Sequence, residues 1–483
     1  MNLFSVQRIV GMLLMIFSIT MLPPLAVSLG YGDHTAMAFV TGFVVTLGIG
    51  ALLWFPVRAQ RGDLRLRDGF LVTVLFWAVL GTAGAIPLLV SAAPVLSVTD
   101  AVFEAISGLT TTGSTVLIGI DHLPESIRWY RQQLQWLGGM GIVILAVALA
   151  PILGVGGMQL YRAETPGPVK DNKLTPRITE TAKALWYIYV TMTIACALSY
   201  WAAGMPGFDA VGHAMSTVAN GGFSTHDASI GYYDSSLIEL IAVFFMLFAA
   251  GNFGLHFAAW RSRRVGQYLA DSEFRSMLIV AGVVTLVTAA YLWRAGVYDT
   301  FDRTLVKALF QAVSIGTTAG FTSADFTVWP GFVPVLLIFV SFIGGSAFST
   351  GGGIKVIRVL LLVKQGAREV QKLVHPSAEM AVRINDRPVA PRVVEAVWGF
   401  FSVYVGVFTV IMLLLMASGL DQVTAFSATA ASLNNLGPGL GQVAAHFGAV
   451  NDFGKWVLVG GMLLGRLEIF TLLVILTPAF WKR

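Results

Sequence analysis

DAVFEAISGLTTTGST, residues 100–115, is the first of four related stretches; the others are DAVGHAMSTVANGGFS (209–224), KALFQAVSIGTTAGFT (307–322) and TAFSATAASLNNLGPG (424–439). They align on Gly113, Gly222, Gly320 and Gly437, which are separated by 109, 98 and 117 residues. Twelve positions earlier each has alanine (Ala101, Ala210, Ala308, Ala425), and six earlier stand Ser107, Ser216, Ser314 and Ala431. Two positions before the glycine stand Thr111, Asn220, Thr318 and Asn435. Self-similarity at such spacing marks an internal repeat. Each stretch has about ten apolar, helix-compatible residues and then a small polar segment, whereas a membrane span needs about 20. Such a stretch can enter halfway as a short helix and return as irregular chain. That is tolerated at membrane depth only when the backbone is buried in protein or lines a water-filled path. Four copies in one chain can surround one axis.

The residues around these stretches read as membrane. Of 483 residues, 56% are hydrophobic and 12% charged, against about 25% charged in an average soluble domain. Ten apolar runs are long enough to span, near 9–29, 36–56, 69–92, 134–157, 182–203, 235–260, 274–295, 331–363, 393–418 and 454–480. The first has Arg8 before it and no small-residue cleavage site after it, and reads as an uncleaved span. With the N-terminus inside, 24 Lys/Arg fall on inward segments and six (Arg128, Arg131, Arg294, Arg303, Lys307, Lys455) on outward ones, which places both termini in the cytoplasm. The expected fold is an all-α polytopic membrane protein with ten transmembrane helices. An N-terminal two-helix hairpin (1–68) precedes four span–pore loop–span repeats around a pseudo-fourfold pore, at 69–160, 161–265, 266–380 and 381–483.

Several function classes are excluded. The single cysteine, Cys196, lies in an apolar run, so neither a disulfide framework nor a cysteine metal site is possible. The seven histidines form no ligand cluster, and His213 reads as a packing residue of the second short helix. There is no phosphate-binding loop and no dinucleotide fingerprint, so this chain is expected to bind no nucleotide itself. No nucleophile–base–acid constellation points to an enzyme. The net charge of +5 is explained by inward loops, including Arg261, Arg263 and Arg264, which face anionic lipid and set topology or dock a cytoplasmic partner, and calls for no nucleic acid.

The chemistry suits a monovalent cation. Each short helix ends at the polar segment, so its C-terminal partial negative charge points at the axis. Beyond it, small residues let backbone carbonyls replace a hydration shell, and threonine hydroxyls can add oxygens. Neutral oxygens fit such an ion better than Ca²⁺, which prefers carboxylates. Outward Asp121, Glu125, Asp227, Asp234, Asp325 and Asp452 would concentrate cations at the mouth. Residues 344–353 (GGSAFSTGGG) are half glycine, so the eighth run should break there as a helix. Arg466, inside the last run, needs a partner at membrane depth. A neighbouring helix or the carbonyls of the 344–353 loop would supply one, whereas Glu468, two residues on along a helix, points elsewhere.

At these residues the chain resembles the Trk/Ktr/HKT superfamily of potassium transporters, most closely its TrkH type, over essentially its full length. The resemblance implies K+ as the transported ion, in a bacterial inner membrane. It implies a filter at Thr110, Thr111, Thr112, Gly113, Asn220, Gly221, Gly222, Thr318, Ala319, Gly320, Asn435, Leu436 and Gly437. Glycine rather than serine at Gly113 goes with potassium in that superfamily. No loop has the TVGYG signature of tetrameric potassium channels, which implies looser discrimination against sodium. A gate is implied at Gly344, Gly345, Ser346, Gly351, Gly352, Gly353 and Arg466, the loop obstructing the pore from below. A homodimer and a cytosolic nucleotide- and NAD-binding regulatory subunit of the TrkA kind are implied partners. A sodium- or proton-coupled potassium symporter is the alternative; the shared orientation of the repeats favours a channel-like pore over inverted-repeat carriers.

Overall fold

The structure is a computed structural model and describes residues 1–59, 65–141, 178–378, 380–385 and 387–482. Arg61, the end of the expected span 134–157 and the inward Arg162, Lys170, Lys173, Arg177 and Arg483 lie outside the described residues.

The described residues are mostly helical. α1 (Leu3–Ile19), α2 (Leu22–Tyr31) and α3 (Ala36–Trp54) form the N-terminal unit, followed by α4 (Leu66–Val90), α5 (Val98–Leu109) and α6 (Glu125–Gly139). Next come α7 (Ile178–Ala202), α8 (Gly207–Val218), α9 (Ser236–Ala249), α10 (Phe253–Ser262) and α11 (Gly266–Ala270). α12 (Ser272–Arg294), α13 (Phe301–Gly316), α14 (Val333–Ser341) and α15 (Val356–Val374) follow. A short hairpin, β1 (Arg383–Ile384) with β2 (Arg387–Pro388), leads to α16 (Pro391–Ala417), α17 (Gln422–Leu433), α18 (Asp452–Arg466), α19 (Phe470–Leu476) and α20 (Pro478–Trp481).

Among the described residues, six stretches are long and apolar enough to cross a membrane: Leu3–Tyr31, Ala36–Val57, Arg67–Val90, Ala182–Ala202, Ser272–Arg294 and Pro391–Ala417. In the last, only 22% of the most apolar window is buried, and along α12 Ile279, Val283 and Leu286 are exposed. Faces like these require lipid.

Among the described residues, the run near 9–29 is interrupted between α1 and α2, and three others bend sharply or split. The run near 235–260 bends by 94° between α9 and α10, where the Asn252 side chain accepts from Gly254 N and starts a new helix. The run near 454–480 bends by 114° between α18 and α19. There Glu468 and Ile469 take φ of +51° and +58°, which α-helix excludes. Arg466 is therefore the last residue of its helix rather than mid-span. The run near 331–363 splits into α14 and α15, and the gap contains the glycine-rich loop, as its composition leads one to expect.

Small residues set the close approaches. A Cβ on Gly11 of α1 would stand 2.8 Å from Gly50 O of α3, and one on Gly50 would stand 2.8 Å from Gly11 O. Backbones in membranes pack this closely only through such residues. Gly50→Ala is expected to push the hairpin apart and destabilise the fold by roughly 1–3 kcal/mol, read as a lower midpoint of thermal aggregation in detergent. An unchanged midpoint would count against this packing.

Candidate ion pathway

The four short helices α5, α8, α13 and α17 end in the same way. The residue two before each aligned glycine has a left-handed backbone: Thr111 (φ +55°), Asn220 (+49°), Thr318 (+60°) and Asn435 (+52°). The residue after it donates its N–H back to the helix, Thr112 to Ser107 O (2.9 Å), Gly221 to Ser216 O (2.9 Å), Ala319 to Ser314 O (2.8 Å) and Leu436 to Ala431 O (2.8 Å). This 6→1 bond around a left-handed residue is a Schellman termination. The backbone alone does not account for the residue type, since threonine and asparagine stand where glycine would be cheaper. Their side chains are used elsewhere, as described below.

The glycine itself follows at φ +83° (Gly113), +80° (Gly222), +78° (Gly320) and +100° (Gly437). A Cβ on Gly113 would collide with the carbonyl oxygen of Gly221, one on Gly222 with that of Ala319, and one on Gly320 with that of Leu436. A Cβ on Gly437 would stand 2.8 Å from the oxygen of Thr112. Each glycine thus abuts the carbonyl that precedes the glycine of the next loop, and the fourth returns to the first. All four line one cavity of about 470 Å³, together with Ser114, Ser224, Thr322 and Pro438.

The threonine hydroxyls, expected as extra ion ligands, are occupied. Thr110 donates to Ile106 O (2.7 Å) and lies 2.7 Å from the hydroxyl of Thr112, which also accepts from Asn435 Nδ2 (2.9 Å). Thr318 Oγ1 accepts from Gly352 N (2.6 Å), and Thr111 Oγ1 accepts from Arg466 Nη1 (3.3 Å). Each of these hydroxyls thus already holds a protein partner.

On the far side of the ring lies the 344–353 loop. Gly344 (φ +69°) and Gly353 (φ +76°) close its neck, where Gly345 N donates to Gly352 O (3.3 Å). Ser346 N donates to Ala250 O (2.8 Å), and Gly353 N to Asn434 O (3.0 Å) beside the fourth aligned loop. Thr350 Oγ1 accepts from Asn220 Nδ2 (3.0 Å) and donates toward Val218 O (3.0 Å) in the second. Gly351 faces Thr317 O of the third, at 2.8 Å from a built Cβ. Arg466 completes the set: Nη1 reaches Thr111 Oγ1 and Thr350 O (3.4 Å), and Nη2 donates to Gly138 O. Of the partners weighed for Arg466, the loop carbonyl is therefore present, together with the end of α6 and the first aligned segment. Glu468 pairs instead with Arg358, whose guanidinium lies 4.2 Å from the Phe400 ring.

Residues that sequence reasoning did not single out brace this assembly. Gln135 donates to Gly221 O (2.5 Å) and accepts from Phe223 N (3.0 Å) and the Ser216 hydroxyl. Arg131 and Glu104, 1% and 0% exposed, pair at 2.7 Å, and Arg131 also holds Ser224 O (3.1 Å). Lys307 pairs with Glu239 (2.6 Å) and holds Ser323 O (3.0 Å), and Lys455 pairs with Asp100 (2.6 Å). Buried Glu273 accepts from Ala347 N (2.7 Å) of the loop, and buried Lys355 donates to Gly351 O. A cluster of glutamines (132, 133 and 135) in an apolar run, and a lysine directly after GGGI, were the available signals. At the mouth, His226 bridges Asp121 (2.5 Å) and Asp209 (3.2 Å). Burial opposes its protonation, yet its bonds to the two carboxylates prevail and raise its pKa above the ordinary 6.5. His213 bonds Asp209 O (2.9 Å) and Ser224 Oγ (2.8 Å), the packing role expected of it.

Comparison with known proteins places this geometry. Residues 35–483 match the model of the TrkH family, described as cation transport protein. The Trk system potassium uptake protein TrkH of Halomonas elongata is 57% identical over 483 residues, covering all of both chains. That of Escherichia coli K12 is 54% identical over 482 residues, again covering all of both. The crystal structure of the potassium transporter TrkH from Vibrio parahaemolyticus superposes with a TM-score of 0.91 at 56% identity, covering 100% of each chain. A polytopic helical chain with this family match along almost its whole length is a transport protein and not an enzyme, and it belongs to the TrkH family of cation transport proteins.

Proposed function

We propose that this chain takes up potassium through one channel-like pore, and that the four aligned loops form its selectivity filter. The supporting observation is the cyclic order of contacts at Gly113, Gly222, Gly320 and Gly437, in which each loop meets the next carbonyl in chain order and the fourth meets the first. Four helix C-termini aim partial negative charge at that ring. The carbonyls of Thr112, Gly221, Ala319 and Leu436 replace the waters of a dehydrated ion. In this reading the units 69–160, 161–265, 266–380 and 381–483 are the pore repeats, 1–68 is an accessory hairpin, and ten spans place both termini in the cytoplasm of a bacterial inner membrane. Two of those spans are the bent pairs.

The 344–353 loop is the gate. It sits against the ring on the side away from the 470 Å³ mouth, and Arg466 ties it to the first filter segment while presenting positive charge to an approaching cation. The relatives' names describe potassium uptake by a Trk system. We place this chain in the same role, as a homodimer whose opening is driven by a cytosolic nucleotide- and NAD-binding subunit. A sodium- or proton-coupled symporter has no supporting feature of its own here.

Currents across planar bilayers, with K+ and Na+ on opposite sides, test the pore directly. Resolved unitary steps that reverse toward the potassium equilibrium potential are expected, and flux without unitary events would favour a carrier. Arg466→Ala removes the bonds to Thr350 O and Gly138 O. It should raise basal K+ flux by about tenfold, the effect of roughly 1.4 kcal/mol; equal or lower flux at equal protein level would reject the gate. Gly320→Ala forces a Cβ onto the Leu436 carbonyl at φ +78°. With a left-handed penalty of about 1–2 kcal/mol for non-glycine residues, the K+/Na+ permeability ratio should fall several-fold, and an unchanged ratio would remove Gly320 from the filter.

A further inference from the structure

α10 leaves α9 at 94°. Where α9 runs along the bilayer normal, that angle lays α10 in the membrane plane, and the short α11 follows it in the chain. Phe253, His256 and Ala259 face inward and are buried, whereas Trp260 is 74% exposed, Val265 78% and Leu269 64%. Between these apolar tips stand Arg261, Arg263 and Arg264, all exposed, and residues 253–270 contain no aspartate or glutamate. Acyl chains alone would not accommodate three arginines, and water alone would not favour an exposed tryptophan with two aliphatic side chains. An in-plane segment with both features fits the boundary between acyl chains and anionic headgroups.

The bend is also wired to the 344–353 loop. Ala249 O accepts from Thr350 N (3.3 Å) and Thr350 Oγ1 (3.1 Å), and Ala250 O accepts from Ser346 N (2.8 Å). Phe253 N donates to Phe348 O (3.1 Å). These are backbone groups that the bend releases from the helical ladder, and the loop satisfies them. His256 stiffens the corner, since its ring nitrogens lie 2.8 Å from Phe248 O and 2.9 Å from the Tyr268 hydroxyl. A change in the angle of α10 must therefore disturb the loop.

We infer that residues 253–270 dock onto anionic phospholipid headgroups, and that this contact holds the 344–353 loop in its obstructing position. The second half of this inference rests on the gate reading above; the first does not. The full-length protein carrying Trp260→Cys and a bimane label is placed in phosphatidylcholine vesicles with or without phosphatidylglycerol. Cys196, fully buried, stays unlabelled. Quenching by brominated phosphatidylglycerol should clearly exceed that by brominated phosphatidylcholine, because each surface arginine attracts anionic lipid. The difference should vanish when Arg261, Arg263 and Arg264 are all changed to Gln and return when they are changed to Lys. In the same vesicles, with position 260 native, basal Rb+ flux should be about threefold lower with phosphatidylglycerol than without it, and the Gln variant should lose that dependence. Equal quenching by both lipids, or none because protein covers the face, overturns the docking surface. Normal quenching with flux indifferent to lipid charge overturns the coupling. Absence of any cation flux from folded protein sinks the pore itself, and the quenching experiment still reads the lipid contact.

Discussion

Backbone polar groups that leave regular structure inside a bilayer must find partners in protein or water, and nearly every unusual feature of this chain answers that demand. Four helices stop after 12, 12, 16 and 12 residues and hand their terminal carbonyls to irregular chain. The Schellman bonds satisfy one set of groups, Gln135 another, and the 344–353 loop a third. The carbonyls of Thr112, Gly221, Ala319 and Leu436, of which Gly221 O also accepts from Gln135, pack so closely against neighbouring glycines that no side chain fits between them. In the proposed pore those carbonyls coordinate the ion.

Charge frames this centre from outside. Lys455 of α18 reaches Asp100 at the head of α5, Lys307 of α13 reaches Glu239 of α9, and Arg131 of α6 reaches the segment after Gly222. Each link joins one sequence repeat to another. Buried pairs of this kind add little net stability, but removing one partner typically costs about 3–5 kcal/mol because a charge is stranded. They act here as fasteners between distant parts of the chain around the four aligned segments. The arginines and lysines that report topology in the sequence therefore also tie the outer side of the structure together.

Much of this was legible in the sequence. The aligned glycines were visible because a positive φ and a colliding carbonyl leave no other residue, and the polar residue two before them because it terminates a helix. The glycine-rich break between α14 and α15 was visible for the same reason of backbone freedom. Other features were not. The bend after Ala249 depends on which carbonyls a distant loop can satisfy, and apolar runs, such as the one that bends after Arg466, look alike whether straight or bent. Threonine hydroxyls read as ion ligands because composition cannot tell a free oxygen from one already bonded, as at Thr112 and Thr318. Gln135 and Glu273 act through tertiary partners far away in the chain, and Lys355 through the folded shape of its own loop, which no local pattern reveals.

Membership of the TrkH family and a TM-score of 0.91 to a solved relative place the chain among cation transporters, and the ring of glycines and carbonyls gives that role a physical centre. The most direct test is crystallographic: anomalous scattering from crystals of this protein soaked in thallous ion, a potassium surrogate. The account predicts a peak on the axis between the carbonyl oxygens of Thr112, Gly221, Ala319 and Leu436. A well-ordered ring with no peak there, or thallium bound only elsewhere in the protein, would contradict it.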